Sequence, residues 1–522
     1  MTTTKKTTAK KAASKKKPAN AKTPSLAKAP LVAEGSPEKF RARVRMYRHG
    51  LGDCFLVTFP RRNREPFHIL IDCGALHRDK TFMTGVVEHI RDTVRDGRTD
   101  GKARLDVVVA THEHKDHVSG FNQARDVFNN DFDFGAVWLA WTENLTKPEI
   151  RRLKEAKAKA VAKLQAALAS PLAAAAGLQG VEALLGFSED DDTTDSKTVA
   201  EALEYLKLRG KDAGALRYCE PGEDPFELDG VPGVLVYVLA PSHDPGFMKV
   251  SEVTKQMQKD EIVYHLTATG DAGMDALGAA ISTLTGAAGG SQARYFPFSN
   301  EHRIPREKRD GGGPNPYFRS IESFVSDTYD DPQQTWRQIE DDWLTAFGQL
   351  ALDLDNDTNN TSLVLAFRLP DQSFLLFAAD AQVGNWRSWK ETSWTLPDGG
   401  TMHGPDLLRR TAFYKVGHHG SQNATLKAEG LELMPDTLVA FIPVDHDSAI
   451  SHAWGNKFPL PGLEKALAEK TAGRVVRNDR PFPEALGGEA AASGFRRRKT
   501  PLKDPQAETG ALYYEWRMPM PR

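Results

Sequence analysis

From residue 40 onward, apolar positions alternate with polar ones or run together in short stretches, which predicts that order begins near Phe40. Residues 41–47 alternate, 54–59 are apolar and β-prone, and 68–71 form a short buried-strand pattern. Residues 62–65 are polar and precede Pro66, which predicts the hairpin loop between the last two strands. Residues 82–95 have the spacing of an amphipathic helix. Residues 105–110 (LDVVVA) read as one fully buried strand, and 137–141 as another. This strand–helix–strand order predicts an α/β layered domain. Further strands are expected at 234–239, 362–367, 373–378, 413–416 and 438–443, with a turn at 369–372. A closing strand is expected at 511–518, after a mobile basic loop near 496–499.

Between these strands the texture changes. Residues 148–210 are rich in Ala, Leu, Lys and Glu at helical spacing, broken at 188–195 by SEDDDTTD. They predict a helical insertion that packs on the domain or on a second subunit, a route to a homo-oligomer. Residues 286–313 are rich in Gly, Arg and polar residues, a long loop within an insertion at 286–332, and 335–352 read as a helix. The expected organisation is a tail at 1–38, one domain at 39–480, and a C-terminal loop and closing strand at 481–522.

Composition narrows the class. The chain has 522 residues and ordinary globular proportions of charged (26%) and hydrophobic (40%) residues, which argues against wholesale disorder. Three cysteines (Cys54, Cys73, Cys219) exclude a disulfide scaffold and suit a reducing, cytoplasmic compartment. No apolar run reaches the roughly 20 residues of a membrane span, so no membrane partner is expected. The formal charge of −2 is uneven: residues 1–30 hold nine lysines and no acid, leaving −11 on the remainder. Such a basic segment has little to bury and predicts a disordered tail, read either as an arm for nucleic acid or as a solubilising extension.

The strongest chemical signal is Thr111-His-Glu-His-Lys-Asp-His117, directly after the LDVVVA pattern. It places His112, His114, Asp116 and His117 within six positions at a strand exit. Imidazole and carboxylate are ligands for zinc, manganese or iron, and a tight turn can aim alternate side chains at adjacent ions.

HxHxDH after a buried strand resembles the metallo-β-lactamase superfamily. Gly50-Leu-Gly-Asp-Cys-Phe-Leu-Val and Ile69-Leu-Ile-Asp-Cys-Gly74 are similar to the opening hairpin of the branch that includes the hydrolase-like domain of the competence protein ComEC. Asn359-Asn-Thr-Ser-Leu-Val-Leu365, Phe374-Leu-Leu-Phe-Ala-Ala-Asp380 and Lys415-Val-Gly-His-His-Gly-Ser421 follow in that branch's order. The resemblance covers most of residues 43–480. It implies a four-layer αβ/βα sandwich with two divalent metal ions, zinc or manganese, along one edge. His112 and His114 would hold the first ion, Asp116 and His117 the second, and Asp380 would bridge them. One of His418 and His419 would complete the second site. His418 is favoured, since it follows the strand end, which leaves His419 as a substrate-facing or proton-donating group.

One departure stands out. Where the family supplies a third histidine to the first ion, this chain has Asp353-Leu-Asp-Asn-Asp-Thr-Asn-Asn360. Asn359 or a nearby Asp would supply oxygen there and favour manganese or magnesium; His243 and His302 are alternative donors. The resemblance implies hydrolysis by a metal-held hydroxide, with Asp116, His419 and Lys415 as catalytic candidates. Lys415, Ser421 and Asn423 are candidates either for substrate contacts or for supporting the ligands and forming the turn. Asp53 and Asp72 are candidates for orienting the imidazoles or for capping turns. Residues 294–303 read as a base-stacking segment or a loop anchor, and 382–389 and 454–459 as pocket walls. The expected substrate is a phosphodiester, nucleic acid included. The alternatives are a lactone, thioester or lactam, and a non-catalytic binding protein with a degenerate site.

Overall fold

The computed structural model describes residues 40–61, 65–76, 78–95, 101–168, 199–250, 355–396, 399–447, 458–480, 495–498 and 512–520, with four isolated positions at 324, 327, 328 and 331. The lysine-rich tail, the long loop at 286–313, the helix at 335–352, the aromatic segment at 294–303 and His302 lie outside the described residues.

The described chain is mixed α/β, with two large mixed sheets and helices. Its first half supplies β1 (Phe40–Tyr47), β2 (Phe55–Phe59), β3 (Phe67–Ile71), β4 (Ala103–Leu105), β5 (Val107–Ala110), β6 (Phe132–Phe134), β7 (Val137–Ala140), β8 (Leu216–Cys219), β9 (Phe226–Glu227) and β10 (Leu235–Ala240). The second half supplies β11 (Val364–Arg368), β12 (Phe374–Phe377), β13 (Ser393–Thr395), β14 (Thr401–His403), β15 (Thr411–Lys415), β16 (Val439–Ile442), β17 (Val475–Arg477), β18 (Phe495–Arg498) and β19 (Tyr513–Pro519). One sheet runs β18-β19-β1-β2-β3-β5-β7-β8, the other β17-β16-β15-β12-β11-β10-β9. In the first, β3, β5, β7 and β8 are mutually parallel; in the second, β12, β15, β16 and β17 are.

Strand alternation decides what packs where. Phe55, Val57 and Phe59 of β2 face a core shared by both sheets, while Leu56 faces the other way. In β12, Leu375 and Phe377 enter that shared core, and Phe374 and Leu376 face outward. The sheets meet through Phe55 on Phe377 and Phe59 on Phe367, each 5.8 Å between centroids, and through Phe413 stacked on Trp516. Helices α1 (Lys80–Val94), α2 (Lys115–Gln123) and α3 (Arg125–Asp131) cover the outer face of the first sheet. The helix Pro461–Lys470 and the short helices Val383–Ser388 and Gly404–Leu408 cover that of the second.

Several expectations need correction. LDVVVA is not one strand: it breaks at Asp106, whose side chain accepts from His68 N (2.9 Å) and takes Arg61 and Arg104 as ion partners. The residues before the break pair with β6, those after it with β3 and β7. The segment at 148–210, expected to be helical and to pack on the domain or on a second subunit, keeps that reading and holds α4 (Pro148–Leu168) and α5 (Val199–Asp212) among the described residues. Helix α5 buries Val199, Ala202, Leu203 and Leu206 in the same core as α1 and α2, because it must cover the apolar faces of β7 and β8. The basic loop near Arg496 is strand β18, paired antiparallel with β19. Trp386 and Trp389, read as part of a pocket wall, are both buried in the outer core of the second sheet, 4.2 Å apart. Among the described residues no helix is long and apolar enough to cross a membrane.

The junction of β1 and β19 carries a buried ion network. Glu515 is fully buried and accepts from Arg45 Nε (2.9 Å) and Arg517 Nε (2.8 Å). Burial opposes its charge, but Arg45, Arg43 and Arg517 outweigh burial and hold its carboxyl well below the usual range. A depressed carboxyl contributes stability that is present above its unfolded value of about 4.3 and is lost as pH falls. Glu515→Gln is therefore expected to destabilise the protein by about 3–5 kcal/mol at pH 7. In urea unfolding the gap from wild type should narrow below about pH 4. An equal gap at both pH values would contradict the assignment.

Candidate metal centre

The HEHKDH segment leaves β5 and turns into α2, so Asp116 and His117 sit in the first helical turn and His114 at its N-cap. The opening hairpin holds this turn through its backbone: Asp53 N donates to Asp116 O (2.9 Å) and Cys73 N to His117 O (2.8 Å). Such close backbone approach requires glycine. A Cβ on Gly74 would lie 2.4 Å from both His117 N and His117 C, and one on Gly52 2.4 Å from Gly74 O. Neither neighbour is a flexible side-chain end. Gly74→Ala is thus expected to cost roughly 3 kcal/mol or more, beyond ordinary overpacking, and to weaken metal binding with it. Thermal unfolding beside a metal-binding isotherm checks this, and an unchanged isotherm would contradict it.

The second sheet brings the other half. Asp380 follows β12 and the Gly-His-His-Gly turn follows β15, so residues from the C-terminal ends of parallel strands in both sheets converge. Asp116, His117, Asp380 and His419 form one buried group whose ligand atoms all lie within 4.8 Å of one another. His419 Nε2 is 2.8 Å from Asp116 Oδ2, and His117 Nε2 is 3.2 Å from Asp380 Oδ2. Asp116 Oδ1 and His117 Nε2 are buried without a hydrogen-bond partner. Buried polar atoms left open in this way, among two carboxylates and two imidazoles, fit a divalent cation.

Neighbouring acceptors fix which ring nitrogen faces inward. His117 Nδ1 donates to Asp72 Oδ2 (2.8 Å), and His419 Nδ1 donates to Pro443 O (2.6 Å), so each presents Nε2 to the cluster. Thr111 Oγ1 donates to Asp72 Oδ2 (2.7 Å) and so accepts from His112 Nδ1 (3.1 Å), which leaves Nε2 of His112 as the lone-pair nitrogen. Asp72 also accepts from Thr111 N (2.8 Å), and its φ of 55° places it in the left-handed region that Asp tolerates better than most residues.

The electrostatics are those of crowded opposite charges. Burial opposes charge on His117, but Asp380, Asp116 and Asp53 outweigh burial and raise its pKa well above 6.5. Burial likewise disfavours the Asp380 carboxylate, yet His117, Lys415 and His419 hold it well below the usual range. For Asp355 the balance is reversed: burial, with repulsion from Asp116 and Asp380, outweighs Lys157 and the Asn359 hydrogen bond and pushes its carboxyl up to about 8. A divalent ion would take the place of the protons that now balance these carboxylates.

Of the histidine pair, it is His419 that enters the cluster. Both residues have positive φ (43° and 52°), and this left-handed turn aims the first ring away and the second inward. The His418 ring packs by Phe458 (5.4 Å), and its Nδ1 is 2.9 Å from Ser421 Oγ, which donates to Asn423 Oδ1 (2.7 Å). For Lys415 the placement favours the supporting reading over substrate contact. It is buried, and its three donors are spent on Asp53 Oδ2 (2.6 Å), Asp380 Oδ1 (3.1 Å) and Ala379 O (2.9 Å), so none remains for a substrate. His112 and His114 lie beside the cluster, Nε2 to Nδ1 at 3.1 Å. Asn359 is fully buried and donates to Asp355 Oδ2 (3.0 Å). His243 packs on Trp141 (4.6 Å) and faces Glu220.

Sequence reasoning passed over Glu113, the residue between the first two histidines. Its carboxylate pairs with Lys154 (2.7 Å) and Lys157 (3.2 Å) of α4, and Lys154 also meets Glu143 (2.6 Å). These charges dock the helical segment on the HEHKDH loop, and their spacing at 154 and 157, one helical turn, was the available signal. Compared with known proteins, the chain matches no family model and no curated sequence.

Proposed function

We propose that the protein is a metal-dependent hydrolase of phosphodiesters, built as the four-layer αβ/βα sandwich of the metallo-β-lactamase superfamily. The observation that carries this reading is the convergence of Asp116, His117, Asp380 and His419 from both sheets, with open ligand atoms inside 4.8 Å. Divalent ions bound there supply Lewis acidity and a water acidified toward neutral pH. The chain's residues do the rest. Asp72, Thr111 and Pro443 hold the imidazole tautomers, and Lys415 holds Asp380 in place by charge. His418, half-buried, with its Nδ1 committed to Ser421 and outside the four-residue cluster, is the histidine left to meet a substrate oxygen through Nε2. A site rich in carboxylate and imidazole needs no side-chain nucleophile, and Cys54 and Cys73 are buried free thiols.

The test uses full-length, chelator-treated protein with a nitrophenyl phosphodiester and an aliphatic lactone, each with manganese and with zinc. Metal-restored turnover of the phosphodiester above the lactone is the expected result. A preference for the lactone would move the reading to carboxylic substrates. Metal binding with turnover of neither would leave a binding protein.

A further inference from the structure

Where the resembling family supplies a third histidine to the first ion, this chain places a helical turn, 355–359, that carries Asp355 and Asn359. We propose that Asp355 is a positioning residue: its carboxylate accepts the Nε2–H of His114 and so turns Nδ1 of that ring toward His112, creating a first metal subsite. The inference rests on the metal-centre reading above and assigns a role within it.

Three observations carry it. His112 Nε2 and His114 Nδ1 face one another at 3.1 Å, deep in the protein. Two nitrogens bound to one ion at about 2.1 Å with a tetrahedral angle lie roughly 3.4 Å apart, so the pair has the spacing of two ligands. The opposite nitrogen of His114, Nε2, lies 3.6 Å from Asp355 Oδ1. That exceeds a hydrogen bond, and the pair must close by about half an ångström when an ion enters. Finally, Asp355 is held to face this way. Asn359 Nδ2 donates to its other oxygen, Oδ2 (3.0 Å), and Asn356 of the same turn accepts from Gln382 Nε2 (2.7 Å), two residues past Asp380.

The arrangement repeats what Asp72 does for His117, in the mirror sense. Asp72 engages Nδ1 and frees Nε2; Asp355 faces Nε2 at 3.6 Å and, on closing, would free Nδ1. One carboxylate therefore serves each subsite. Orienting partners of this kind are worth 10–100-fold in metal affinity. The Asn-rich stretch thus has a physical purpose: its amides keep one aspartate aimed at one imidazole.

The experiment titrates cobalt(II) into metal-free full-length wild type and the Asp355→Ala and Asp355→Asn variants. Stoichiometry is followed by equilibrium dialysis and coordination by the visible absorption of the bound ion. Wild type is expected to bind two equivalents. Asp355→Ala should keep the first and weaken the second 10–100-fold, with a changed absorption band for that ion alone. Asp355→Asn retains an acceptor oxygen and should stay within a few-fold of wild type. Unchanged second-ion affinity in Asp355→Ala would overturn the proposal. So would an Asn variant as weak as the Ala variant, which would make Asp355 a direct ligand. Wild type with a single equivalent removes the subsite but leaves the proposed hydrolase standing; wild type with none removes that reading itself.

Discussion

Asp380→Asn is expected to lower divalent-ion affinity more than 100-fold and to bring phosphodiester turnover to background, with the fold retained. Asp380 meets both imidazoles of the cluster and two groups beside it: His117 Nε2 at 3.2 Å, His419 Nε2 at 3.5 Å, Lys415 Nζ at 3.1 Å and His418 N at 3.2 Å. An amide keeps the shape and the contact to His418 N but removes the charge that a cation would meet. Partners one layer further out already cost 10–100-fold, so a residue facing the ion should exceed that range. Equilibrium dialysis measures the affinity and circular dichroism the fold. Retention of wild-type affinity would exclude Asp380 from the metal set.

Lys415→Met should act on stability first. Its ammonium lies between Asp53 and Asp380, and removing it leaves two buried carboxylates facing one another. Breaking a buried ion pair from one side costs about 3–5 kcal/mol, and urea unfolding of the metal-free protein should show a loss of that size. Saturating manganese should shrink the loss, because a cation beside Asp380 then supplies the missing positive charge. Unchanged stability with a raised KM would instead fit a lysine that contacts substrate.

What the sequence made legible follows from chemistry and periodicity. The HEHKDH turn and Asp380 were readable because candidate metal ligands stand out at strand exits, and the strand at 374–377 because its apolar run is unmixed. His418 and His419 were not separable in this way. Their identities are equal, and the choice depends on two consecutive left-handed residues. The two readings of Lys415, substrate contact or support of the ligands, were likewise not separable from sequence. A lysine beside a metal motif suggests a substrate contact, and only the pairing of β15 with β12 reveals that its ammonium reaches Asp53 and Asp380. Asp106 broke a run that looked continuous, since its side chain takes the amide of His68. Long-range placement also decided α5: its composition predicted a helix packed on the domain or on a second subunit, and the neighbouring strands β7 and β8, the latter at the sheet edge, take it as their cover.

The most direct measurement of the central claim is the metal content of purified full-length protein, taken by elemental analysis after incubation with manganese or zinc and desalting. The account predicts at least one equivalent retained by wild type and none above background by a variant carrying both Asp116→Ala and Asp380→Ala. Wild-type protein with no stoichiometric metal, or a double variant that retains as much as wild type, would contradict it.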